Sequence, residues 1–317
     1  MHILITGASG FIGQLVAREL LKDSSHTLVL TDIVAPTVPT KSKYPQNAKC
    51  LQADLCKDAA KIVEAEPFDA AYVFHGIMSS GSEANFDLGM TVNVDATRAL
   101  LETFRTLRQG VRIIYASSQA VYGRPFPEVV DETVRPYPES SYGAEKLICE
   151  TLINDYTRRG FIDGFCLRFP TITVRPGRPT QAASSFLSGM IREPLNGQPC
   201  VIPIEDRSFV SWICSPKTLA ENLIYALTVE SSKLPLHIRE VNMPGIGATV
   251  QDMLDALKEV GGSEALDLIT EKADPAQEAI LRSWATKFDN TLAYSVGFKP
   301  DSSFKQAVID YKASLTE

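Results

Sequence analysis

The chain contains few of the residues that bind metal ions or cross-link secreted proteins. It has six cysteines and four histidines in 317 residues, and neither type is clustered. No Cys-x-x-Cys pair occurs in the sequence. We therefore expect no metal site, and we expect free thiols in a reducing compartment.

Long apolar runs and runs of basic residues are also missing. No apolar stretch is long enough for a signal peptide or a membrane span, and Met1 leads directly into a short apolar strand. The formal net charge is −7, so nucleic acids and anionic membranes are poor partners. These absences favour a cytoplasmic protein that binds neither nucleic acid nor a membrane.

The composition itself is that of an ordinary globular protein. Hydrophobic residues make up 44% of the chain and charged residues 22%. A chain of 317 residues can bury a full core, and it is long enough for one large α/β domain and a smaller appendage.

A glycine-rich segment follows the first predicted strand. Residues 2–6 form a short, largely β-branched apolar run, and Gly7, Gly10 and Gly13 follow in a Gly-x-x-Gly-x-x-Gly pattern before a stretch of helical composition. Such glycines allow a tight turn and a close approach of the backbone to a pyrophosphate. The N-terminus of the helix then faces the phosphate charge. The pattern predicts a dinucleotide site.

Asp32 ends the second predicted strand, about 20 residues after the last glycine. An acidic side chain at this place binds the ribose hydroxyls of NAD and repels the 2′-phosphate of NADP. No arginine adjoins Asp32 in the sequence, so NAD is favoured over NADP.

Strand-like and helical segments then alternate along the chain. The predicted strands are 50–54, 70–75, 111–116 and 164–169, and the predicted helices are 57–65, 91–108 and 141–158. This alternation predicts an α/β fold with a doubly wound parallel sheet of the Rossmann type. Ligands of such a sheet bind outside the carboxyl ends of its strands, so those ends should share one crevice.

Tyr142 and Lys146 are four residues apart in a predicted helix, which places both side chains on one face. A fixed ammonium favours the phenolate over the phenol, so we expect Lys146 to lower the pKa of Tyr142. Tyr142 would then serve as a general acid or base at physiological pH.

Four segments together resemble the extended short-chain dehydrogenase/reductase family of nucleotide-sugar epimerases, dehydratases and related dehydrogenases. They are residues 6–13, residues 93–97 (Asn-Val-Asp-Ala-Thr), residues 117–123 (Ser-Ser-Gln-Ala-Val-Tyr-Gly) and residues 142–146 (Tyr-Gly-Ala-Glu-Lys). The resemblance implies that Ser118 binds the reacting oxygen, that Tyr142 transfers the proton and that Lys146 holds the nicotinamide ribose. It also implies that Asn93 stiffens the site.

The resemblance and the strand ends together give two sets of candidate binding residues. The candidate NAD contacts are Gly7, Gly10, Phe11, Ile12, Gly13, Asp32, Asp54, Leu55, His75, Gly76, Asn93, Ser117, Tyr142, Lys146, Pro170 and Thr171. The candidate substrate contacts are Ser79, Ser80, Ser118, Gln119, Tyr142, Thr171, Arg175 and Arg178.

The subfamily can be narrowed. Family dehydratases carry an acidic pair just after the catalytic serine or threonine, whereas this chain has Gln119 and Ala120 there. Residues 167–179, 183–195 and 297–301 are similar to the D-erythronate dehydrogenases, a group that oxidises the C2 hydroxyl of a four-carbon sugar acid with NAD. Arg175 and Arg178 are candidates to bind the substrate carboxylate. For Arg175, and likewise for Arg168, a structural role is an equally weighted alternative to substrate binding.

The expected organisation is a Rossmann domain with a small, interleaved C-terminal substrate-binding region. Residues 1–170, continued by 209–243, are predicted to bind NAD, and residues 171–208 and 244–317 the substrate. Relatives commonly dimerise through the helices at 91–108 and 141–158, so a homodimer is expected. The alternative functions are a carbonyl reductase acting on another ketone, a nucleotide-sugar epimerase and, least favoured, a non-catalytic NAD-sensing regulator.

Overall fold

The computed structural model describes residues 1–177 and 184–315. Its strands are β1 (His2–Thr6), β2 (Thr27–Asp32), β3 (Ala48–Gln52), β4 (Ala70–Val73), β5 (Val111–Ser118), β6 (Ile162–Phe169), β7 (Thr171–Ile172), β8 (Cys200–Ile202), β9 (Val210–Cys214), β10 (Glu240–Asn242), β11 (Ile246–Thr249) and β12 (Ile269–Glu271).

The helices alternate with these strands. They are α1 (Phe11–Leu20), α2 (Leu55–Ala65), α3 (Ser79–Ala84), α4 (Phe86–Gly89), α5 (Ala96–Leu107), α6 (Ser141–Arg158), α7 (Ser185–Leu195), α8 (Pro216–Ala226), α9 (Val250–Gly261), α10 (Ser263–Leu266), α11 (Pro275–Leu281), α12 (Thr291–Val296) and α13 (Phe304–Ser314).

Seven strands form the main sheet in the order β10-β6-β5-β4-β1-β2-β3. Strands β1 to β6 are parallel to their neighbours. The predicted doubly wound sheet is therefore confirmed. The chain order reverses between β1 and β4, and ligands of such sheets bind at this switch point, outside the carboxyl ends of the strands.

Most boundaries in this sheet agree with the sequence to within two residues. β1 and α6 have the predicted limits. Strand β3 begins and ends two residues earlier than predicted, because Asp54 leaves the strand and caps α2 by accepting a hydrogen bond from the Cys56 amide at 3.1 Å. The predicted helix 91–108 is a π-helical segment, Met90–Asp95, followed by α5.

Contacts between Cα atoms group the chain into two units. The first comprises residues 1–121, 138–169 and 220–241, and the second comprises 122–137, 170–219 and 242–317. Residues 122–137 and 209–219 thus group with the second unit rather than with the predicted NAD-binding domain. Contacts alone do not show which ligand each unit binds, so that part of the domain assignment stays a prediction.

Each unit has its own apolar core. In the first, side chains of the sheet such as Leu4, Val73 and Ile113 pack with Leu101 and Phe104 of α5. Full burial of one such side chain contributes about 2 kcal/mol to folding. Across residues 1–177 and 184–315, no helix is long and apolar enough to cross a membrane, and no group of three or more His, Cys, Asp or Glu side chains is arranged to hold a metal ion.

The second unit has a three-stranded sheet, β11-β9-β7, and a two-stranded sheet, β12-β8. Helices α7, α9 and α13 contribute Met190, Leu257 and Val308 to its core. Helix α9 begins with a capping box in which Thr249 and Asp252 exchange hydrogen bonds with each other's backbone amides.

Candidate active site

The glycine loop lies between β1 and α1 and is packed too tightly for side chains. Gly7 has a φ of +64°, and a Cβ on it would lie 2.6 Å from the His75 nitrogen. A Cβ on Gly13 would lie 2.5 Å from the Gly7 oxygen. Helix α1 starts after Gly10 without a side-chain cap and without an acidic residue in its first turn. Its first amides are therefore suited to an anion, as the pyrophosphate of NAD requires.

Asp32 at the end of β2 is held beside this loop. Its Oδ2 accepts the Ser9 amide at 2.9 Å, and its Oδ1 accepts the Val34 amide at 3.3 Å. Each carboxylate oxygen has a second lone pair. The loop and Asp32 therefore fit the pyrophosphate and the ribose of a dinucleotide.

The segment after β4 forms the opposite wall of the switch point. The two ring nitrogens of His75 lie 2.9 Å from Thr6 Oγ1 and 3.2 Å from Thr97 Oγ1. Burial, with a smaller effect of Lys146, lowers the pKa of His75 to about 3, so the ring is neutral at physiological pH. His75 therefore braces this wall through its side chain. A Cβ on the adjacent Gly76 would lie 2.8 Å from Asn93 Oδ1.

Asn93 lies in the π-helical segment and is 1% exposed. Its Oδ1 accepts the Ile77 amide at 2.7 Å, and its Nδ2 donates to the Ile77 carbonyl at 3.0 Å. The same Nδ2 donates to Glu145 Oε2 at 2.5 Å. The Asn93 side chain thus binds both backbone hydrogen-bonding groups of Ile77 and fixes the segment that follows β4. A single π turn at a functional position is a recurrent feature of helices.

The structure brings Ser118, Tyr142 and Lys146 together. Ser118 is the last residue of β5, and its hydroxyl lies close enough to Tyr142 to lower the pKa of the phenol. The Lys146 ammonium lies 5.5 Å from the centre of the Tyr142 ring. It donates to the Ala116 carbonyl at 2.9 Å, which leaves two further N–H donors. Helix α6 is fixed at its start by Ser140, whose hydroxyl accepts the Gly143 amide at 3.1 Å.

The prediction that the pKa of Tyr142 is lowered is wrong. Burial raises the pKa to about 12, and the nearby Glu145 adds to this effect, while the hydrogen bond with Ser118 opposes it. Lys146 is itself so buried that its pKa falls to about 8. The sequence showed the lysine charge, whereas the desolvation of the phenol depends on tertiary packing.

Sequence reasoning missed a buried ion pair between β6 and α6. Arg168 on β6 donates to Glu150 on α6 through Nε at 2.9 Å and through Nη2 at 2.7 Å. The hydroxyl of Ser117 donates to the same carboxylate at 2.5 Å. Ser117 and Arg168 are direct neighbours in the β5–β6 register. Arg168 therefore has the structural role, and Ser117 directs its hydroxyl to Glu150.

The remaining NAD candidates of the first unit lie where strands end. Phe11 and Ile12 are the first residues of α1. Asp54 and Leu55 start α2, and the Asp54 carboxylate is also paired with Lys57 at 2.9 Å. The side chain of Asp54 is thus engaged in capping its own helix.

The substrate candidates of the first unit lie at two helix starts. Ser79 and Ser80 open α3, which follows β4. Gln119 opens a short 3₁₀ turn directly after Ser118. Its Nε2 is buried and finds no hydrogen-bond partner among the residues that the structure describes. Such a donor is costly to leave unpaired and fits a polar ligand atom.

Three candidates belong to the second unit. Pro170 precedes β7, and Thr171 opens it opposite Ile213 of β9. Arg175 is partly buried, its amide donates to Ser188 Oγ at 3.0 Å, and burial together with Arg192 lowers the pKa of its guanidinium. Arg178 lies outside the described residues.

Comparison with known proteins agrees with this geometry. The model of the NAD dependent epimerase/dehydratase family matches residues 3–213. D-erythronate dehydrogenase from Haemophilus influenzae is 39% identical over 313 residues, which cover 97% of this chain and 98% of the relative. D-erythronate dehydrogenase from Cupriavidus necator is 39% identical over 323 residues, 98% of each chain.

Among solved structures, the nucleoside-diphosphate-sugar epimerase from Agrobacterium tumefaciens superposes with a TM-score of 0.92 and 34% identity, covering 100% of this chain and 95% of that one. A GalE-like L-threonine dehydrogenase from Cupriavidus necator shares the fold, with a TM-score of 0.85 and 21% identity over 99% of this chain and 100% of that one. The chain therefore belongs to the NAD-dependent epimerase/dehydratase family of extended short-chain dehydrogenases/reductases.

Proposed function

We propose that this protein is an NAD-dependent dehydrogenase that oxidises the C2 hydroxyl of a small sugar acid, D-erythronate in the first instance, to the 2-keto acid. The observation that carries the proposal is the full-length identity of 39% to two proteins named D-erythronate dehydrogenase. The grouping of Ser118, Tyr142 and Lys146 in one place supports it.

The residues of the first unit have separate tasks. The glycine loop and Asp32 hold the cofactor, and Lys146 has two N–H donors left for its ribose. When bound, NAD supplies the hydride acceptor. Ser118 orients the substrate hydroxyl, and Tyr142 takes its proton as the hydrogen on C2 leaves with its electron pair. The carbinol carbon loses two electrons and one proton passes to the phenolate, so the step is balanced.

Tyr142 acts as a base only after its pKa has fallen from about 12. A positive charge bound beside a phenol stabilises the phenolate. The oxidised nicotinamide ring carries such a charge, and the Lys146 ammonium supplies a second one. Because the Lys146 ammonium is already in place in the free protein, a bound oxidised nicotinamide would be the added charge that favours loss of the Tyr142 proton in the ternary complex.

We assign NAD rather than NADP to the site. The Asp32 carboxylate is fixed by the Ser9 and Val34 amides and carries a full negative charge toward the ribose position. A 2′-phosphate at that ribose would meet this charge at short range, and like charges repel strongly where water is displaced.

Arg175 and Arg178 are our candidates for the substrate carboxylate. A protein of net charge −7 needs local positive charge to attract an anionic substrate. The lowered pKa of Arg175 reflects the cost of burying its charge, a cost that a bound carboxylate would offset. We further propose a cytoplasmic homodimer formed through α5 and α6, on which Leu107 and Ile148 are 38% and 41% exposed.

The proposal is tested by following the reduced-nicotinamide absorbance band with purified protein, NAD or NADP, and a panel of four- to six-carbon aldonic acids. Reduction of NAD by D-erythronate, and its loss in Tyr142→Phe with NAD binding retained, is the expected result. Near-normal turnover by Tyr142→Phe would contradict the assigned role. Silence across the panel with NAD still bound would overturn the sugar-acid assignment and favour a carbonyl reductase, to be assayed with ketones and reduced cofactor.

A nucleotide-sugar epimerase is the second candidate, because the Agrobacterium tumefaciens epimerase is 34% identical over the whole chain. An epimerase must keep NAD bound between its two half-reactions. Copurification of NAD through gel filtration, together with interconversion of nucleotide sugars, would favour this function. Free release of NAD would favour the dehydrogenase.

A further inference from the structure

Glu145 lies on α6 between the predicted catalytic residues and is 1% exposed. Its Oε2 accepts two hydrogen bonds, from Asn93 Nδ2 at 2.5 Å and from Ser82 Oγ at 2.9 Å. Its Oε1 is buried and has no hydrogen-bond partner within residues 1–177 and 184–315. A side chain on Gly89 would collide with this Oε1, so the glycine leaves the space that the carboxylate occupies.

The two partners of Glu145 come from different elements. Asn93 lies in the π-helical segment and holds the chain after β4, and Ser82 lies in α3. Helix α3 has a second link to α6, since the Glu83 carboxylate accepts the Ser141 amide at 2.5 Å. Glu145 thus joins the wall of the switch point and α3 to the helix that carries Tyr142 and Lys146.

The negative charge of Glu145 affects the pKa values of Lys146 and Tyr142. It raises the pKa of Lys146, against the larger effect of burial, and so helps to keep the ammonium protonated. It also raises the pKa of Tyr142. Other titratable groups around this centre are His75, Glu83, Tyr115, Cys149 and Glu150.

We propose that Glu145 is a positioning residue of the catalytic centre, whose carboxylate fixes Asn93 and Ser82 against α6 beside Tyr142 and Lys146. The role of Tyr142 as base in this inference rests on the proposed function. Because the carboxylate carries a charge, its removal should change the pKa values of Tyr142 and Lys146. Loss of a packing contact alone would not have this effect.

The test is the pH dependence of sugar-acid oxidation by Glu145→Gln. Glutamine keeps the size and one hydrogen-bonding oxygen but removes the charge. Because the negative charge raises the pKa of Tyr142, its removal should shift the rise of kcat with pH downward by about one pH unit. The plateau rate should also fall, since Lys146 then deprotonates at lower pH. The KM for NAD should change less than the kcat.

Glu83→Gln is the matched control, because it removes an exposed charge from a carboxylate that contacts α6 at Ser141 and not at Asn93. Its pH profile should stay in place. An unshifted or upward-shifted profile for Glu145→Gln would overturn the proposal. If Glu145→Gln does not fold, Glu145→Asp serves instead. Aspartate keeps the charge but withdraws it from Asn93 and Ser82. The pH dependence of kcat should therefore stay unchanged, while kcat falls about tenfold or more. Unchanged kcat in Glu145→Asp would also overturn the proposal.

A second readout does not need a substrate. The difference in tyrosinate absorbance between the protein and its Tyr142→Phe variant reports the ionisation of Tyr142 during a pH titration. The same difference in the Glu145→Gln background should show ionisation at lower pH. A downward shift with no activity on any sugar acid would leave Glu145 supported and reject the proposed function. Turnover of a sugar acid without this downward shift would support the proposed function and reject the role of Glu145.

Discussion

Removal of Arg168 should destabilise the protein strongly. Arg168 is 3% exposed and Glu150 is 0% exposed, and the two N–H donors of the arginine lie 2.9 and 2.7 Å from the carboxylate. Arg168→Met keeps most of the apolar volume but leaves Glu150 buried with Ser117 as its remaining donor. An uncompensated buried charge costs about 3 to 5 kcal/mol of unfolding free energy. Urea unfolding followed by circular dichroism measures this loss.

The double variant Arg168→Met with Glu150→Leu separates the pair from its packing. Replacing both charges by apolar groups should recover most of the loss, because the desolvation cost of both ions disappears with them. Lys57→Met is the control, since Lys57 pairs with Asp54 at 2.9 Å on the surface, where loss of an ion pair has little effect on stability. A loss of stability for Arg168→Met no larger than for Lys57→Met would refute the reasoning, as would a double variant less stable than the single one.

Three further predictions concern the dinucleotide site. His75 has a pKa of about 3 in the fold against 6.5 when free, so below pH 6.5 the unfolded state binds more protons than the folded state. The free energy of unfolding should therefore fall as pH falls, by at most about 1.4 kcal/mol per pH unit. His75→Gln should flatten this dependence in urea titrations at pH 7 and pH 5.5. Gly7→Ala should abolish NAD binding in calorimetry, since a φ of +64° and a Cβ 2.6 Å from the neighbouring backbone force the loop to move. Asp32→Ala should weaken NAD binding about tenfold or more while improving NADP binding, and unchanged selectivity would contradict its assigned role.

The sequence predicted those parts of the fold whose signals are local. β1 is a short apolar run closed by a glycine, and α6 begins at Ser141 after Ser140, a good N-cap residue, so both elements carry local signals for their limits. The end of β3 was misplaced because Asp54 can end a strand or cap a helix, and only the Cys56 amide decides between these roles. The π turn around Asn93 is set by packing and leaves no periodic signal.

The candidate site was predictable only in its outline. Tyr142, Lys146 and Ser118 are found by spacing and by resemblance. The partners of Glu145 and Glu150 are far away in sequence, with Asn93 separated from Glu145 by 52 positions and Ser117 from Glu150 by 33. A carboxylate on a helix ordinarily indicates a solvated face. Its burial becomes visible only when the sheet and the neighbouring helices are in place.

These buried charges explain how a lysine can stay protonated in so dry a site. Glu145, Lys146 and Glu150 are all nearly inaccessible, and the buried Arg168 forms an ion pair with Glu150. Burial lowers the pKa of Lys146, and the two buried carboxylates of α6, Glu145 and Glu150, oppose this effect. Burial raises the pKa of Tyr142 to about 12, and the negative charge of Glu145 adds to this effect. The proposed role of Tyr142 as a base therefore requires a further cation that lowers this pKa.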